Sequence, residues 1–313
     1  MEMSSLDALG LPPSRWVDVG GPVHYREWPG PGGGPTFVLV HGLGGSHLNW
    51  AAVAPGLARR GRVVALDLAG FGLTPPEGRG TDVGSNWRLL GGFIAALELA
   101  PAILIGNSMG GMLAVIQCAH APRTVEGMVL VDAAFPRARA VSAQPRPRVA
   151  ALFAIYASGR LGEWFASARV RHLGAEGLVR ETLSVCAADP ANLDPTLVAA
   201  HVEMAQHRMG FEYGTRAFLD AARSIFRAQV APAKYRAVVA AADRPALVMH
   251  GAHDQLVPLA SAEEAVKGHP DWELAVFDDL GHIPQMESPE RWLRVVDRWL
   301  DRPRRAQERA AAI

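Results

Sequence analysis

Gly106-Asn107-Ser108-Met109-Gly110 stands between two apolar runs. Before it comes Ala102-Ile103-Leu104-Ile105, bounded by Pro101; after it comes Gly111 to Ala119, with neither charge nor proline. The first run is short and aliphatic and reads as a buried parallel strand. The second is long enough for a helix. A serine between them sits on a sharp strand-to-helix turn, with glycines two residues to either side because strand and helix approach closely there. The turn pushes the hydroxyl out of the sheet and sets the following N–H groups at a helix N-terminus, where negative charge is favoured. The pattern G-x-S-x-G is a known signature of a nucleophilic serine. The plainer alternative is a serine capping a helix.

A chain of 313 residues allows one large domain or two smaller ones and can bury roughly three quarters of its unfolded surface. Apolar residues make up 49% and charged residues 20%, as in an ordinary globular protein. The formal net charge is zero, which offers no attraction to nucleic acid or an anionic membrane. Cys118 and Cys186 are the only cysteines, too few for a disulfide or metal framework. The N-terminus lacks a basic region followed by an apolar one, so no signal peptide is expected and the chain is read as cytoplasmic. The uncharged run from Leu99 to Pro122 is long enough to span a bilayer. Its Pro101, Gly106, Asn107, Ser108 and Gly110 fit a buried strand, turn and helix better.

On either side, strands alternate with helices, as parallel βαβ units require. Trp16–Val19 and Val23–Trp28 flank Gly20-Gly21-Pro22 and read as an edge hairpin. Thr36–Val40 is a buried strand ending in His41-Gly42-Leu43-Gly44-Gly45, whose backbone can point an N–H into a site. His41 reads as structural. Trp50–Arg60 reads as a helix, and Arg62–Asp67 as a strand closed by a glycine-rich loop. Asp67 is expected to order that loop through backbone N–H groups. A helix from Trp87 to Leu99 precedes the Ser108 element, and Val125–Asp132 is the next strand.

From Phe135 to about Pro232 no buried aliphatic strand follows. Leu152, Ile155, Tyr156 and Phe218, Ala222, Ile225 keep helical spacing instead. The segment is too long for a loop and reads as a helical cap over the strand ends. The expected division is a core of residues 1–136 and 233–313 and a cap of 137–232. The sheet resumes at Pro245–His250, with Gly251-Ala252-His253-Asp254 beyond it. Trp272–Phe277 is the last strand, Gly281-His282-Ile283-Pro284 follows, and a helix runs from Pro289 to Leu300. The tail from Arg302 to Ile313 is expected to fray.

Ser108, Asp254 and His282 thus fall at the C-terminal ends of buried strands, where open α/β sheets bind ligands. A serine hydroxyl needs a base within hydrogen-bond reach. A histidine can take and return a proton near neutrality. A buried carboxylate holds that histidine in one tautomer. With His41-Gly42-Leu43-Gly44-Gly45, Asp67-Leu68-Ala69-Gly70-Phe71-Gly72, the Ser108 stretch, Gly251-Ala252-His253-Asp254 and Gly281-His282, the chain resembles the α/β-hydrolase fold family, in its capped serine-hydrolase branch. The resemblance covers nearly the whole chain. It implies a mostly parallel sheet with helices on both faces, Ser108 as nucleophile, His282 as base and Asp254 as acid. It also implies an oxyanion hole from the N–H groups of Leu43 and Met109.

An aspartate replaces Ser108 in capped epoxide hydrolases and haloalkane dehalogenases, which disfavours those activities. Carbon–carbon hydrolases of ring-cleavage products often carry a similar Gly-Asn-Ser-Met-Gly-Gly stretch, but several place a tryptophan where Ile283 stands. Asp132 is a rival for the acid and His253 for the base. The leading expectation is a carboxylesterase or lipase-like serine hydrolase taking a small apolar ester with a short-to-medium acyl group. A carbon–carbon hydrolase of ring-cleavage-type diketones and a non-catalytic binding module are the alternatives. No cofactor and no metal are expected, since neither a P-loop nor a Cys/His cluster is present. From Arg137 to Pro232 there are twelve arginines, no lysine and eight acids. Most of these arginines are expected to face solvent. Phe153, Trp164, Phe165, Met204, Met209, Phe211 and Phe226 are the apolar candidates for cap core and pocket wall.

Overall fold

The computed structural model describes residues 5–139 and 147–302. The tail beyond Arg302 lies outside the described residues. Eight strands form one sheet: β1 (Arg15–Asp18), β2 (Pro22–Trp28), β3 (Thr36–Val40), β4 (Arg62–Leu66), β5 (Ala102–Asn107), β6 (Val125–Val131), β7 (Ala246–Gly251) and β8 (Trp272–Phe277). Their order across the sheet is β1-β2-β4-β3-β5-β6-β7-β8. The hairpin β1–β2 is antiparallel at the edge, pairing Trp16 with His24, and β2 joins β4 antiparallel. From β4 to β8 every pairing is parallel.

Alternate residues of the central strands feed two cores, one on each face, because successive side chains of a strand point to opposite sides. Val38, Val40, Val64, Leu66, Leu104 and Leu130 pack into one. Phe37, Leu39, Val63, Ile103, Ile105 and Val129 pack into the other. Each fully buried aliphatic side chain contributes about 1.5–3 kcal/mol, so both faces need helices over them.

The helices in chain order are α1 (Ser5–Ala8), α2 (Ala54–Leu57), α3 (Val83–Ala96), α4 (Met109–His120), α5 (Pro147–Ala157), α6 (Gly159–Cys186), α7 (Pro195–Met209), α8 (Gly214–Val230), α9 (Ala233–Ala240), α10 (Leu259–Lys267), α11 (Pro284–Glu287) and α12 (Pro289–Leu300). In α12, Trp292, Val296 and Trp299 recur at helical spacing and are buried against one face. In α4, Met112, Leu113 and Val115 join the other. Leu99–Pro122 is therefore a strand, a turn and a helix. No helix among the described residues is long and apolar enough to cross a membrane.

Two helix expectations need correction. Trp50–Arg60 holds only the single turn of α2, preceded by a 3₁₀ turn at His47–Trp50. Pro55 can start a helix but not continue one, and Gly56 next to it is a weak helix former. The helix read as starting at Trp87 begins at Val83, because the Asp82 carboxylate accepts from the N–H groups of Gly84 and Ser85.

Between β6 and β7, four long helices, α5 to α8, and no strand are found among the described residues. Tyr156 on α5 meets Phe218 on α8 edge to face, with ring centroids 5.3 Å apart. The helix α6 breaks at Gly174, whose φ is 62°. Residues of these helices line one cavity together with residues of the segments after β3, β5 and β7.

Candidate active site

Ser108 sits between β5 and α4 with φ 55° and ψ −116°, a conformation that costs an L-residue roughly 1–3 kcal/mol. The surroundings hold it there. Its N–H donates to the Val131 carbonyl at 2.9 Å, and its own carbonyl accepts from Ala134 at 3.0 Å. The flanking glycines are required by contact. A Cβ on Gly106 would stand 2.3 Å from the Gly110 carbonyl carbon, and one on Gly110 would stand 2.0 Å from the Val40 carbonyl oxygen. Strand and helix can approach this closely only without side chains. Met109 opens α4 with its side chain buried, and the first N–H groups of a helix have no partner within it.

A cavity of about 510 Å³ lies above this turn, lined by Ser108, His282 and Leu43 among others. That volume suits a small organic ligand. His282 Nδ1 lies 2.7 Å from Asp254 Oδ2 in a pair that is almost fully buried. Asp254 Oδ1 also accepts from the N–H groups of Leu256 and Val257 at 2.7 and 3.1 Å. Burial alone would raise the Asp254 carboxyl. The His282 imidazole, His250 and the Leu256 N–H outweigh it and hold the carboxyl below its ordinary value. A carboxylate so placed fixes the imidazole with Nε2 free to face the cavity.

The rival acid, Asp132, is buried at the end of β6 and accepts from the Gly251 N–H at 2.9 Å. No imidazole among the described residues bonds to it; His250 Nδ1 is 3.7 Å away. His253 is exposed and is not among the residues lining the cavity. His41 is structural: Nε2 accepts from Leu68 at 3.0 Å, Nδ1 donates to the Gly42 carbonyl at 2.7 Å, and burial pulls its pKa down to about 4.

Three features were not visible in the sequence. Asn107 donates to the carbonyls of both Val131 and His282. Glu287 accepts from Gly281 and Ala188, tying the His282 loop to the end of α6. Asp67 accepts from the Leu73 N–H in the loop that follows it, as expected, but also from the backbone N–H of His47 and the imidazoles of His24 and His47. Burial opposes that charge, yet the two imidazoles hold the Asp67 carboxyl well below its usual range. Nothing short-range in sequence announces partners 43 and 20 residues away.

Two groups of side chains, His24 with His47 and Asp67, and Asp132 with Asp254 and His282, bring potential metal ligands within 4.8 Å of one another. In the first, the Asp67 oxygens already accept from four donors, and in the second Asp254 is committed to His282, Leu256 and Val257, so both sets are spent on internal hydrogen bonds and neither is read as a metal site.

Of the apolar candidates, Phe153, Met204, Met209, Phe211 and Phe226 line the cavity. Trp164 is 64% exposed instead. The arginines do not all face solvent. Arg169 lines the cavity, paired with Glu181 at 2.6 Å and bonded to the Tyr156 hydroxyl. Arg208 also lines it, donating to the Gly70 carbonyl at 2.7 Å with its guanidinium 5.4 Å from the centre of the Phe71 ring. No carboxylate pairs with Arg208 among the described residues.

This sheet order, the strained serine turn and the strand-end residues define an α/β hydrolase. The model of the alpha/beta hydrolase fold family matches residues 35–289, and the chain belongs to that family. The chain is 29% identical over 280 residues to the 2-hydroxy-6-oxo-2,4-heptadienoate hydrolase of Pseudomonas putida, covering 86% of this chain and 90% of that one. It is equally 29% identical over 280 residues to a dihydrolipoyllysine-residue acetyltransferase component of an acetoin cleaving system, also from Pseudomonas putida. There it covers 88% of this chain but spans only 64% of the relative's length. The enol-lactonase from Burkholderia xenovorans LB400 shares the fold, with a TM-score of 0.72, 22% identity, and coverage of 92% of this chain and 100% of that one.

Proposed function

We propose that the chain is a serine hydrolase of neutral carboxylic esters with short-to-medium acyl groups. Ser108 is the nucleophile, His282 the base and Asp254 the acid that orients it. The observation that carries the reading is the 2.7 Å bond from His282 Nδ1 to Asp254, in a cavity that Ser108 enters from a strained turn. His282 takes the Ser108 proton as Oγ attacks the ester carbonyl. The N–H groups of Met109 and Leu43 receive the developing oxyanion. The C–O bond breaks, and the alcohol leaves with the proton that His282 returns. Water, deprotonated by His282, then attacks the acyl carbonyl; the bond to Oγ breaks, the acid leaves, and His282 returns the proton to Ser108 Oγ. Residues 137–232 act as a cap whose Met204, Phe211 and Phe226 give the acyl chain an apolar wall. Labelling with a fluorophosphonate tests this directly. Ser108 should be the modified residue, and its failure to react would favour a non-catalytic binding protein.

A second reading, hydrolysis of a carbon–carbon bond in a carboxylated diketone, is favoured by one observation. Arg208 brings an unpaired cation to the cavity wall, where a substrate carboxylate could meet it. Similarity to the heptadienoate hydrolase supports it too. A carboxylated ester and its neutral analogue, compared in the native protein and in Arg208→Gln, separate the two readings.

A further inference from the structure

We propose that Asp132 is a positioning residue held as a neutral carboxylic acid beside the Asp254 carboxylate. The proposal rests on Asp254 being the acid of the triad.

The geometry begins with a count of charges. Asp132, Asp254 and His282 bring ligand atoms within 4.8 Å of one another in the interior. Two carboxylates packed this closely cannot both ionise cheaply beside one imidazole. Asp254 has the better claim to the charge, since it accepts from His282, Leu256 and Val257. Asp132 has one donor, the Gly251 N–H on Oδ1. Its Oδ2 is buried with no partner. A buried carboxylate oxygen with no donor is costly when charged, whereas protonation makes it a donor in the neighbourhood of an anion.

Among the described residues the surroundings supply no cation. From β7, His250 Nε2 lies 3.0 Å from the Val257 carbonyl and so carries the hydrogen; its Nδ1 is an unprotonated acceptor, 3.7 Å from Asp132 Oδ1. Burial pulls the His250 pKa down, in keeping with a neutral ring. Beyond β8, His282 is committed to Asp254, and Glu287 on α11 is another carboxyl. From the end of α6 comes Cys186, a thiol that burial pushes up to about 12. No arginine or lysine pairs with Asp132 among the described residues. Burial, then Asp254, raise the Asp132 carboxyl well above its ordinary value. The backbone is drawn into this arrangement as well: Asp132 has φ 45°, outside the range an aspartate in a strand adopts.

The consequence falls on His282. An ionised Asp132 would add a second negative charge behind the imidazole and favour its protonated form, which cannot accept from Ser108. A neutral Asp132 leaves the base available and removes electron density from Asp254 through one hydrogen bond.

Asparagine keeps a neutral donor at this position; alanine removes it. In pH profiles of kcat/KM on an activated aryl ester, the acid limb of Asp132→Asn should stay within ~0.3 pH unit of the native limb. That of Asp132→Ala should move to higher pH by ~0.5–1 unit, because Asp254 loses a donor and holds the imidazolium more tightly. Limbs that move to lower pH in both variants would show Asp132 ionised and overturn the proposal. Limbs that move in neither would reduce Asp132 to a structural role and overturn it too. A second measurement needs no activity. A carboxyl with a raised folded pKa gives its full stability below the unfolded value, about pH 4, and loses it as pH rises toward the folded pKa. The Tm of Asp132→Asn should therefore gain on the native Tm as pH climbs from about 4 to about 8. A Tm difference, variant minus native, that stays constant or falls over this range would refute the neutral form. If the ester reading fails, this melting comparison still stands; if Ser108→Ala abolishes activity while the limbs disobey, only the role of Asp132 falls.

Discussion

The side chain of Asn107 donates to the backbone carbonyl of His282 at 2.9 Å. Its other contact, at 3.1 Å, is the carbonyl of Val131 at the end of β6. The residue just before Ser108 therefore fixes the distance between the serine turn and the histidine loop through one amide group. Asn107→Ala leaves two buried carbonyls without this donor. It should cost about 1–3 kcal/mol in stability and lower kcat on the order of 10-fold or more through misplacement of His282. Denaturant melts and kcat on an aryl ester measure both; a variant that is stable and fully active would show that the tie does not matter.

Ser108→Ala should lower kcat by on the order of 10⁴ or more, and His282→Ala by about as much, because nucleophile and base act as a unit. Circular dichroism should show the folded protein in each case. Activity retained by purified Ser108→Ala would sink the nucleophile assignment.

The two aspartates at neighbouring strand ends should differ sharply. Asp254→Asn should lose roughly 10²–10⁴ in kcat, since Nδ1 of His282 would face a donor instead of an acceptor. Asp132→Asn should lose far less. The reverse ranking would move the acid to β6.

Asp67 makes stability depend on pH. Its folded pKa lies well below the unfolded value, so its contribution is present above about pH 4 and is lost as pH falls through the folded pKa. Asp67→Asn should cost on the order of 3 kcal/mol at neutral pH, because it removes the charge both imidazoles face and turns one acceptor oxygen into an amide donor. The gap to the native protein should shrink in melts taken below about pH 4. A gap independent of pH would mean that Asp67 is not ionised in the fold.

Chain length should read out the cavity wall. With a fixed leaving group, kcat/KM should climb several-fold from acetate to butyrate or hexanoate, at up to about 0.8 kcal/mol per buried methylene. Acetate as the best substrate would contradict an apolar acyl site. If a carboxylated ester wins by tenfold or more, and both salt and Arg208→Gln erase the advantage, the carbon–carbon hydrolase reading moves ahead.

Much of this was legible because the signals are local. Glycines at 106 and 110, an aliphatic run before them and an uncharged run after them specify a strand–turn–helix without knowledge of anything distant. The strands β3 to β8 were readable for the same reason, as short aliphatic runs ending in glycine or a polar residue. Helix ends were less so: Asp82 caps α3 through its side chain, and Pro55 with Gly56 confines α2 to one turn. What pattern alone could not supply was direction. The arginine surplus between β6 and β7 was plain, but only tertiary packing turns Arg208 toward the cavity and leaves Trp164 in solvent. Asn107, Glu287 and His24 act across long separations on backbone groups or carboxylates that no spacing rule connects.

The order of strands along the chain also has a bearing on how the protein is made. Ser108 follows the fifth strand, while Asp254 and His282 follow the last two. A ribosome finishes the helices α5 to α8 before it reaches β7, the strand that must pair with β6. Until then the growing chain carries an open, apolar β6 edge that other strands can join. On the proposed assignment it also carries a nucleophile with no base. Hydrolysis therefore starts only when the C-terminal strands dock, and the nascent chain is at once inert and vulnerable to misassociation.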